Sequence, residues 1–207
     1  MQTDKIKITS SGVGFEEALD EATKFASYTG LDKKATLRVR LLTEETLGLI
    51  GAITGDFSAL FSIESEKNCA VRIHLTASTQ MDFAKRKELI EASTNKKNAA
   101  AKGFMGKIRQ LFENAMYSVD EVGALSVEYG DNVMMYGTVG MNDVNTSAYV
   151  WSLNNYRNSV EGASGNDEAA KEAWDELEKS IVASIADEVT VGVKGSTVEL
   201  VIEKRQF

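Results

Sequence analysis

Two adjacent carboxylates, Glu44 and Glu45, are the residues whose type and spacing most directly suggest chemistry in this sequence. They lie in residues 37–53, where apolar residues recur every three or four positions and predict an amphipathic helix. This spacing places Glu45 inside the apolar stripe and Glu44 nearer its edge, beside Gly48 and Gly51. The stripe consists of Leu41, Leu42, Leu49, Ile50 and Ile53.

A carboxylate among leucines needs a partner, a metal or water, because burying it alone costs several kcal/mol. Two interpretations follow for Glu45. It serves catalysis as a base on the inner side of the helix, or it points through a gap in the packing into solvent.

Composition excludes several classes of protein. The 207 residues, 43% hydrophobic and 26% charged, suit one domain, or one domain with a sizeable insertion. The net charge of −8 argues against a nucleic-acid-binding surface, which needs a concentrated basic face. Cys69 and His74 are the only cysteine and histidine, so the sequence predicts neither a disulfide framework nor a metal site built from several such residues.

The sequence contains no apolar run of about 18 residues, the length that would cross a membrane. Residues 1–12 lack the apolar segment of a secretory signal. We therefore expect a cytoplasmic protein.

The pattern of the whole chain predicts an α/β two-layer sandwich with a mixed, mostly antiparallel sheet. Three pairs of predicted strands are adjacent in the sequence, and helices separate them. The predicted strands are residues 5–10, 57–64, 70–77, 125–129, 133–139, 188–193 and 197–203; the predicted helices are residues 15–29, 37–53, 82–92, 103–116, 147–160 and 168–186.

His74 alternates with apolar residues in the strand at 70–77, together with Arg72 and Thr76. This alternation places it on the polar face of a sheet. A catalytic base is the alternative interpretation, although no nucleophile is assigned to it.

The segment KGFMGK is a candidate phosphate-binding loop. Lys102, Gly103, Gly106 and Lys107 stand where a predicted helix begins, and free N–H groups at a helix start can bind phosphate. The segment matches neither common nucleotide-binding pattern, so the alternative is a helix start with a solvated basic end.

Three segments together resemble the ATP-binding domain (the GHKL, or Bergerat, fold) of histidine kinases, gyrase and, most closely, the anti-sigma-factor serine kinases. They are TGLDKK after the first helix, the paired acids in LLTEETLGLIGAI, and IADEVTVGVKGSTVELVIEK at the final helix and hairpin. The resemblance covers roughly residues 5–80 and 168–204. It implies a single domain over 1–207 with helices on one face of the sheet, in which residues 81–167 form an enlarged insertion in place of the ATP lid.

The resemblance also implies roles for individual residues. Glu45 matches the family's catalytic glutamate, which activates water or a hydroxyl, and Asp82 is the one candidate for the aspartate that reads adenine. Leu49 stands where the family has a magnesium-binding asparagine, and leucine offers no oxygen to a hard cation.

Two main hypotheses follow. The first is a regulatory protein that binds another protein, with nucleotide binding degenerate or lost. The second is an active ATP-binding protein or serine/threonine kinase with a rearranged phosphate loop. A structural subunit is a third interpretation, and the chain is a possible homodimer.

Overall fold

A computed structural model describes residues 1–54, 56–66, 69–79, 134–136, 148–163, 168–194 and 196–207. Within these ranges the chain forms seven strands and five helices. The strands are β1 (Ile6–Thr9), β2 (Phe57–Glu66), β3 (Cys69–Thr79), β4 (Met134–Tyr136), β5 (Ala148–Ser152), β6 (Glu188–Lys194) and β7 (Thr197–Lys204); the helices are α1 (Phe15–Tyr28), α2 (Lys33–Thr54), α3 (Leu153–Ala163), α4 (Glu168–Lys179) and α5 (Ile181–Ile185).

The strands form one sheet in the order β1-β2-β3-β7-β6-β5-β4. Every pairing among the described strands is antiparallel. The prediction of an α+β architecture with an antiparallel sheet is confirmed, and the parallel pairs that a mixed sheet would contain are not found among the described strands.

One face of the sheet is buried beneath the helices. The other, which we call the open face, is not covered by any of the described helices. Alternate residues of the four central strands lie in the core, for example Phe61 on β2, Ile73 on β3 and Leu200 on β7. Helices α1 to α5 contribute to the same core, including Phe25 of α1 and Tyr156 of α3. The result is two layers, a sheet and a helical layer, which is the usual way to bury one face of a sheet.

Helix α1 begins and ends at glycines with positive φ. Gly14 precedes it at φ 83°, and a Cβ at this position would lie 2.2 Å from the carbonyl oxygen of Lys7. Gly30 follows it at φ 80°, and the Leu31 amide donates to the Ala26 carbonyl over 3.0 Å. Gly30 thus ends the helix, and Leu31 packs back onto the core.

Helix α2 is capped by Asp32, whose carboxylate oxygen Oδ1 accepts a hydrogen bond from the Ala35 amide over 2.7 Å. An aspartate at this position satisfies one of the amides that the first turn leaves free. The helix is longer than predicted and spans Lys33–Thr54.

Two predicted elements differ from the structure. The helix predicted at 147–160 is divided: Ala148–Ser152 is strand β5, and helix α3 begins at Leu153. The long helix predicted at 168–186 is interrupted at Ser180, whose φ of −76° and ψ of 121° are extended. The predicted elements at 82–92, 103–116 and 125–129 lie outside the described residues.

None of the described helices is long and apolar enough to span a membrane.

Candidate functional site

Helix α2 has a sharply defined inner side. Its buried apolar residues are Ala35, Val39, Leu42, Leu47, Leu49 and Ile50. Thr43, Thr46 and Thr54 are buried with them, and each hydroxyl donates to the carbonyl four residues earlier, over 2.6–2.9 Å. These intrahelical hydrogen bonds allow each hydroxyl to be buried without an unpaired donor. The buried side of the helix is therefore wider than the apolar residues alone indicate.

The two carboxylates of α2 lie in different surroundings. Glu44 is exposed and Glu45 is partly buried, at the border between the half-exposed Leu41 and the buried Leu49. The structure thus places Glu45 at the edge of the apolar stripe rather than within it, and Glu44 outside it. The described part of the chain provides neither residue with a hydrogen bond or ion pair.

The residue one turn after Glu45, Leu49, belongs to the hydrophobic core. Leu49 is 5% exposed and belongs to the main hydrophobic cluster. An alkyl side chain cannot ligate magnesium, which takes oxygen ligands. Within the described ranges, no group of three or more His, Cys, Asp or Glu residues is arranged to hold a metal ion.

The other predicted site residues are those assigned to adenine and to phosphate. Asp82, Lys102, Gly103, Gly106 and Lys107 all lie outside the described residues. Their assignment to adenine and phosphate binding stays a prediction.

The open face of the sheet carries a cluster of charged residues that the sequence did not reveal. Arg72 on β3 lies between carboxylates from both neighbouring strands: its Nη1 is 2.9 Å from Glu64 and 3.2 Å from Glu66 on β2, and its Nε is 2.8 Å from Glu203 on β7. His74 joins the cluster through Nε2, which lies 3.0 Å from Oε1 of Glu64. We call these five residues the Arg72 cluster.

The Arg72 cluster changes the ionisation of its members. The hydrogen bond from His74 and then that from Arg72 hold the pKa of Glu64 below its ordinary value of 4.5. The hydrogen bond to Glu64 is the main cause that raises the pKa of Arg72. Both shifts favour the charged forms, as expected for an opposite-charge pair that is largely removed from solvent.

The Arg72 cluster joins three adjacent strands, and its charged groups are satisfied by one another. A residue that serves as a base needs a free lone pair directed at substrate, whereas the Glu64 carboxylate accepts from both Arg72 and His74. The prediction that His74 lies on the polar face is confirmed, and its contacts are those of a structural residue. The alternation in β3 revealed Arg72 and His74, but their partners depend on strand register, which one sequence does not give.

A second polar cluster connects β6 to the start of α3. The Glu188 carboxylate accepts from the amides of Asn154, over 3.2 Å, and Val189, over 2.9 Å, and from the Asn154 side chain over 2.5 Å. A carboxylate at the first turn of a helix also interacts favourably with the helix dipole. Glu188 is therefore a helix cap supplied by a neighbouring strand.

No protein family, curated protein or solved structure shows significant similarity to this chain.

Proposed function

We propose that this chain is a cytoplasmic regulatory protein with an anti-sigma-factor-like ATPase fold, which acts by binding another protein and whose nucleotide site is degenerate or lost. The observation that carries the proposal is the burial of Leu49 one turn after Glu45. A nucleotide site of this kind needs an oxygen ligand for magnesium near the catalytic glutamate, since phosphoryl transfer depends on neutralising the phosphate charge.

Exposed apolar side chains support the protein-binding part of the proposal. Tyr28 at the end of α1 is 79% exposed, and Val13 before its start is 64% exposed. Tyrosine is enriched at the energetic centres of protein interfaces, because it buries a large area with little loss of side-chain freedom.

Thermal unfolding of the full chain with and without Mg-ATP tests the nucleotide part. A ligand at one hundred times its dissociation constant stabilises by about 2.7 kcal/mol, which raises the Tm of a chain of this size by several degrees. We expect no shift up to millimolar Mg-ATP. A shift of several degrees would contradict the proposal.

Affinity capture from the native cytoplasm tests the partner. A captured protein is then produced separately, and its binding to the wild-type chain and to Tyr28→Ser is measured by calorimetry. We expect saturable binding of the wild type, weakened at least tenfold by the substitution if Tyr28 is an anchor of the interface. Captures that repeatedly return no protein able to bind when purified would count against the proposal.

The alternative is an active ATP-binding protein or serine/threonine kinase with a rearranged phosphate loop. One observation favours it: the Glu45 carboxylate is partly exposed and has no partner among the described residues, as a base waiting for substrate should be. In this case Glu45→Gln abolishes ATP turnover while the exposed neighbour Glu44→Gln leaves it unchanged. Absence of turnover in the wild-type chain would remove this alternative.

A further inference from the structure

Three residues follow β7 without belonging to a strand or a helix. We call Arg205, Gln206 and Phe207 the strap. Arg205 and Gln206 are exposed, whereas Phe207 is partly buried and packs against the main hydrophobic cluster. Residues beyond the last regular element of a domain are usually poorly ordered unless specific contacts hold them. The strap has such contacts at both of its ends.

Asp187, the residue before β6, holds the start of the strap. Its carboxylate oxygen Oδ2 accepts a hydrogen bond from the Arg205 amide over 2.6 Å, and Oδ1 lies 3.0 Å from Nζ of Lys204. The Asp187 amide donates to the Glu203 carbonyl over 2.9 Å. This one residue therefore binds the chain at the point where it leaves β7.

Asp187 also lies at a junction of the fold. Ala186, immediately before it, caps α5 and is 4% exposed. Glu188, immediately after it, is the first residue of β6. The core on one side and the sheet on the other thus fix the Asp187 backbone, and its contact with the strap joins the end of α5 to the end of β7.

The strap is held far less firmly than β7. That strand pairs with both β3 and β6 along its length, whereas the contacts described for the strap are those of Asp187 and of one partly buried aromatic ring. The Asp187 side chain is 35% exposed, so water can replace the Arg205 amide as its partner. Segments with few buried apolar contacts open locally at a lower free energy than the whole fold.

We propose that the strap is a closure that opens while the sheet and the helices stay folded, with Asp187 as its latch. In the closed state Phe207 covers part of the core. In the open state this apolar surface is in contact with water and available to another molecule. The proposal goes beyond the proposed function and does not depend on it.

The two contacts of the strap are coupled through the chain. One residue separates Arg205 from Phe207, and two extended residues span about 7 Å at most. Phe207 therefore cannot stay against the core once Arg205 has moved further than this from Asp187. Loss of either contact should raise the population of the open state.

Amide hydrogen exchange of the full chain, followed by NMR, tests the proposal. In the wild type the Arg205 amide should exchange faster than the Leu200 amide inside β7. Its rate should not change in urea well below the unfolding midpoint, whereas the rate at Leu200 should rise with urea. This difference is expected because a local opening exposes little surface and global unfolding exposes much.

Two substitutions test the two contacts separately. Asp187→Ala removes the acceptor of the Arg205 amide, so this amide should exchange about tenfold faster or more. Phe207→Ala leaves Asp187 in place, yet it should also accelerate exchange at Arg205, by about fivefold or more, because it removes the apolar contact of the strap. Asp175→Ala is the matched control, since Asp175 is exposed on α4 and its loss changes the net charge equally; it should leave the Arg205 rate unchanged.

The dye ANS, which binds exposed apolar surface, reports whether the core is uncovered. Its fluorescence should rise with Asp187→Ala and not with Asp175→Ala, and circular dichroism should show that the variants are folded. Equal urea dependence at Arg205 and Leu200 would mean that the strap opens only on global unfolding and would overturn the proposal. An Arg205 rate that Phe207→Ala leaves unchanged would also overturn it, and both of these results can be obtained if Asp187→Ala does not fold.

Discussion

Gly48 lies in the middle of a long helix without a neighbour that requires a glycine. Among the described residues, a Cβ at this position would meet no atom within 4 Å. Because a glycine inside a helix costs about 0.5–1 kcal/mol relative to alanine, Gly48→Ala should stabilise the fold by about that amount. Urea unfolding followed by circular dichroism measures it.

Gly30→Ala is the control for this prediction. Gly30 also has open space around it, but its φ is +80°, which an alanine adopts only with strain. This variant should be destabilised by about 1–2 kcal/mol. If Gly48→Ala were destabilised as well, the outer side of α2 would have to be packed more closely than described.

Glu64 should make the free energy of unfolding depend on pH below its ordinary pKa of 4.5. Its pKa is lowered in the folded chain, so its contribution is fully present above its ordinary value of 4.5 and is lost as pH falls through the folded value. Glu64→Gln should therefore lower the free energy of unfolding by roughly 1–3 kcal/mol at pH 7. It should also flatten the loss of stability below pH 4.5.

Glu66→Gln is the matched control for Glu64, since both carboxylates contact Nη1 of Arg72 from the same strand. The Glu66 side chain is 58% exposed, whereas that of Glu64 is 19% exposed. A surface pair contributes about 0–1 kcal/mol, so Glu66→Gln should leave both stability and its pH dependence nearly unchanged. Equal acid-unfolding curves for Glu64→Gln and the wild type would contradict the role assigned to the Arg72 cluster.

At the scale of elements, Ser180 separates α4 from α5. Its side-chain oxygen accepts a hydrogen bond from the Ala183 amide over 3.2 Å, and loss of such a cap costs about 1 kcal/mol. Ser180→Ala should destabilise by that amount in chemical unfolding. Ser184→Ala should be nearly neutral, because the exposed Ser184 hydroxyl bonds only to a carbonyl of its own helix turn.

The sequence predicted elements well where the hydrophobic period was clear, as in α1, β2, β3, β6 and β7. It failed at Ser180 because apolar residues continue at helical spacing through residues 177, 181 and 185. A break that leaves this spacing unchanged cannot be recognised from hydrophobic periodicity. It failed at Ala148–Ser152 because the strand joins directly to α3. The segment 147–160 therefore contains both the two-residue period of a strand and the 3.6-residue period of a helix.

The inner side of α2 shows a third reason why the sequence pattern was misleading. Thr43 and Thr46 counted as polar in the sequence pattern, yet both are fully buried. Their hydroxyls are satisfied within the helix, which hydropathy alone does not reveal. The apolar stripe was consequently predicted to be centred too near Glu45, while the half-exposed Leu41 was assigned to the core.

At the scale of the whole molecule, β7 connects the two halves of the sheet. Leu200 on this strand is fully buried, so Leu200→Ala should cost about 2–5 kcal/mol. Val201→Ala, on the open face and only partly buried, should cost about 1 kcal/mol or less. Urea unfolding followed by tryptophan fluorescence and by circular dichroism should give coincident curves for Leu200→Ala, because one core spans both halves. Separate transitions would show that the halves unfold independently.

The candidate site could be predicted only in part from the sequence. The relation of Glu45 to Leu49 was visible because both lie within one helix, where spacing fixes geometry. The Arg72 cluster was not visible in this way. Its residues lie on three different strands, from Glu64 on β2 to Glu203 on β7, and only the register of those strands brings them together.

The central place of β7 also has a consequence for synthesis of the chain. Strands β1, β2 and β3 leave the ribosome before β7. The edge of β3 that faces away from β2 lacks its partner until β7 has been synthesised, because Val71 pairs with Lys204, far along the chain. An unpaired strand edge invites pairing with other chains, and contacts between distant residues form slowly. While β7 is still missing, an edge that becomes the centre of the sheet is therefore exposed to pairing with other chains.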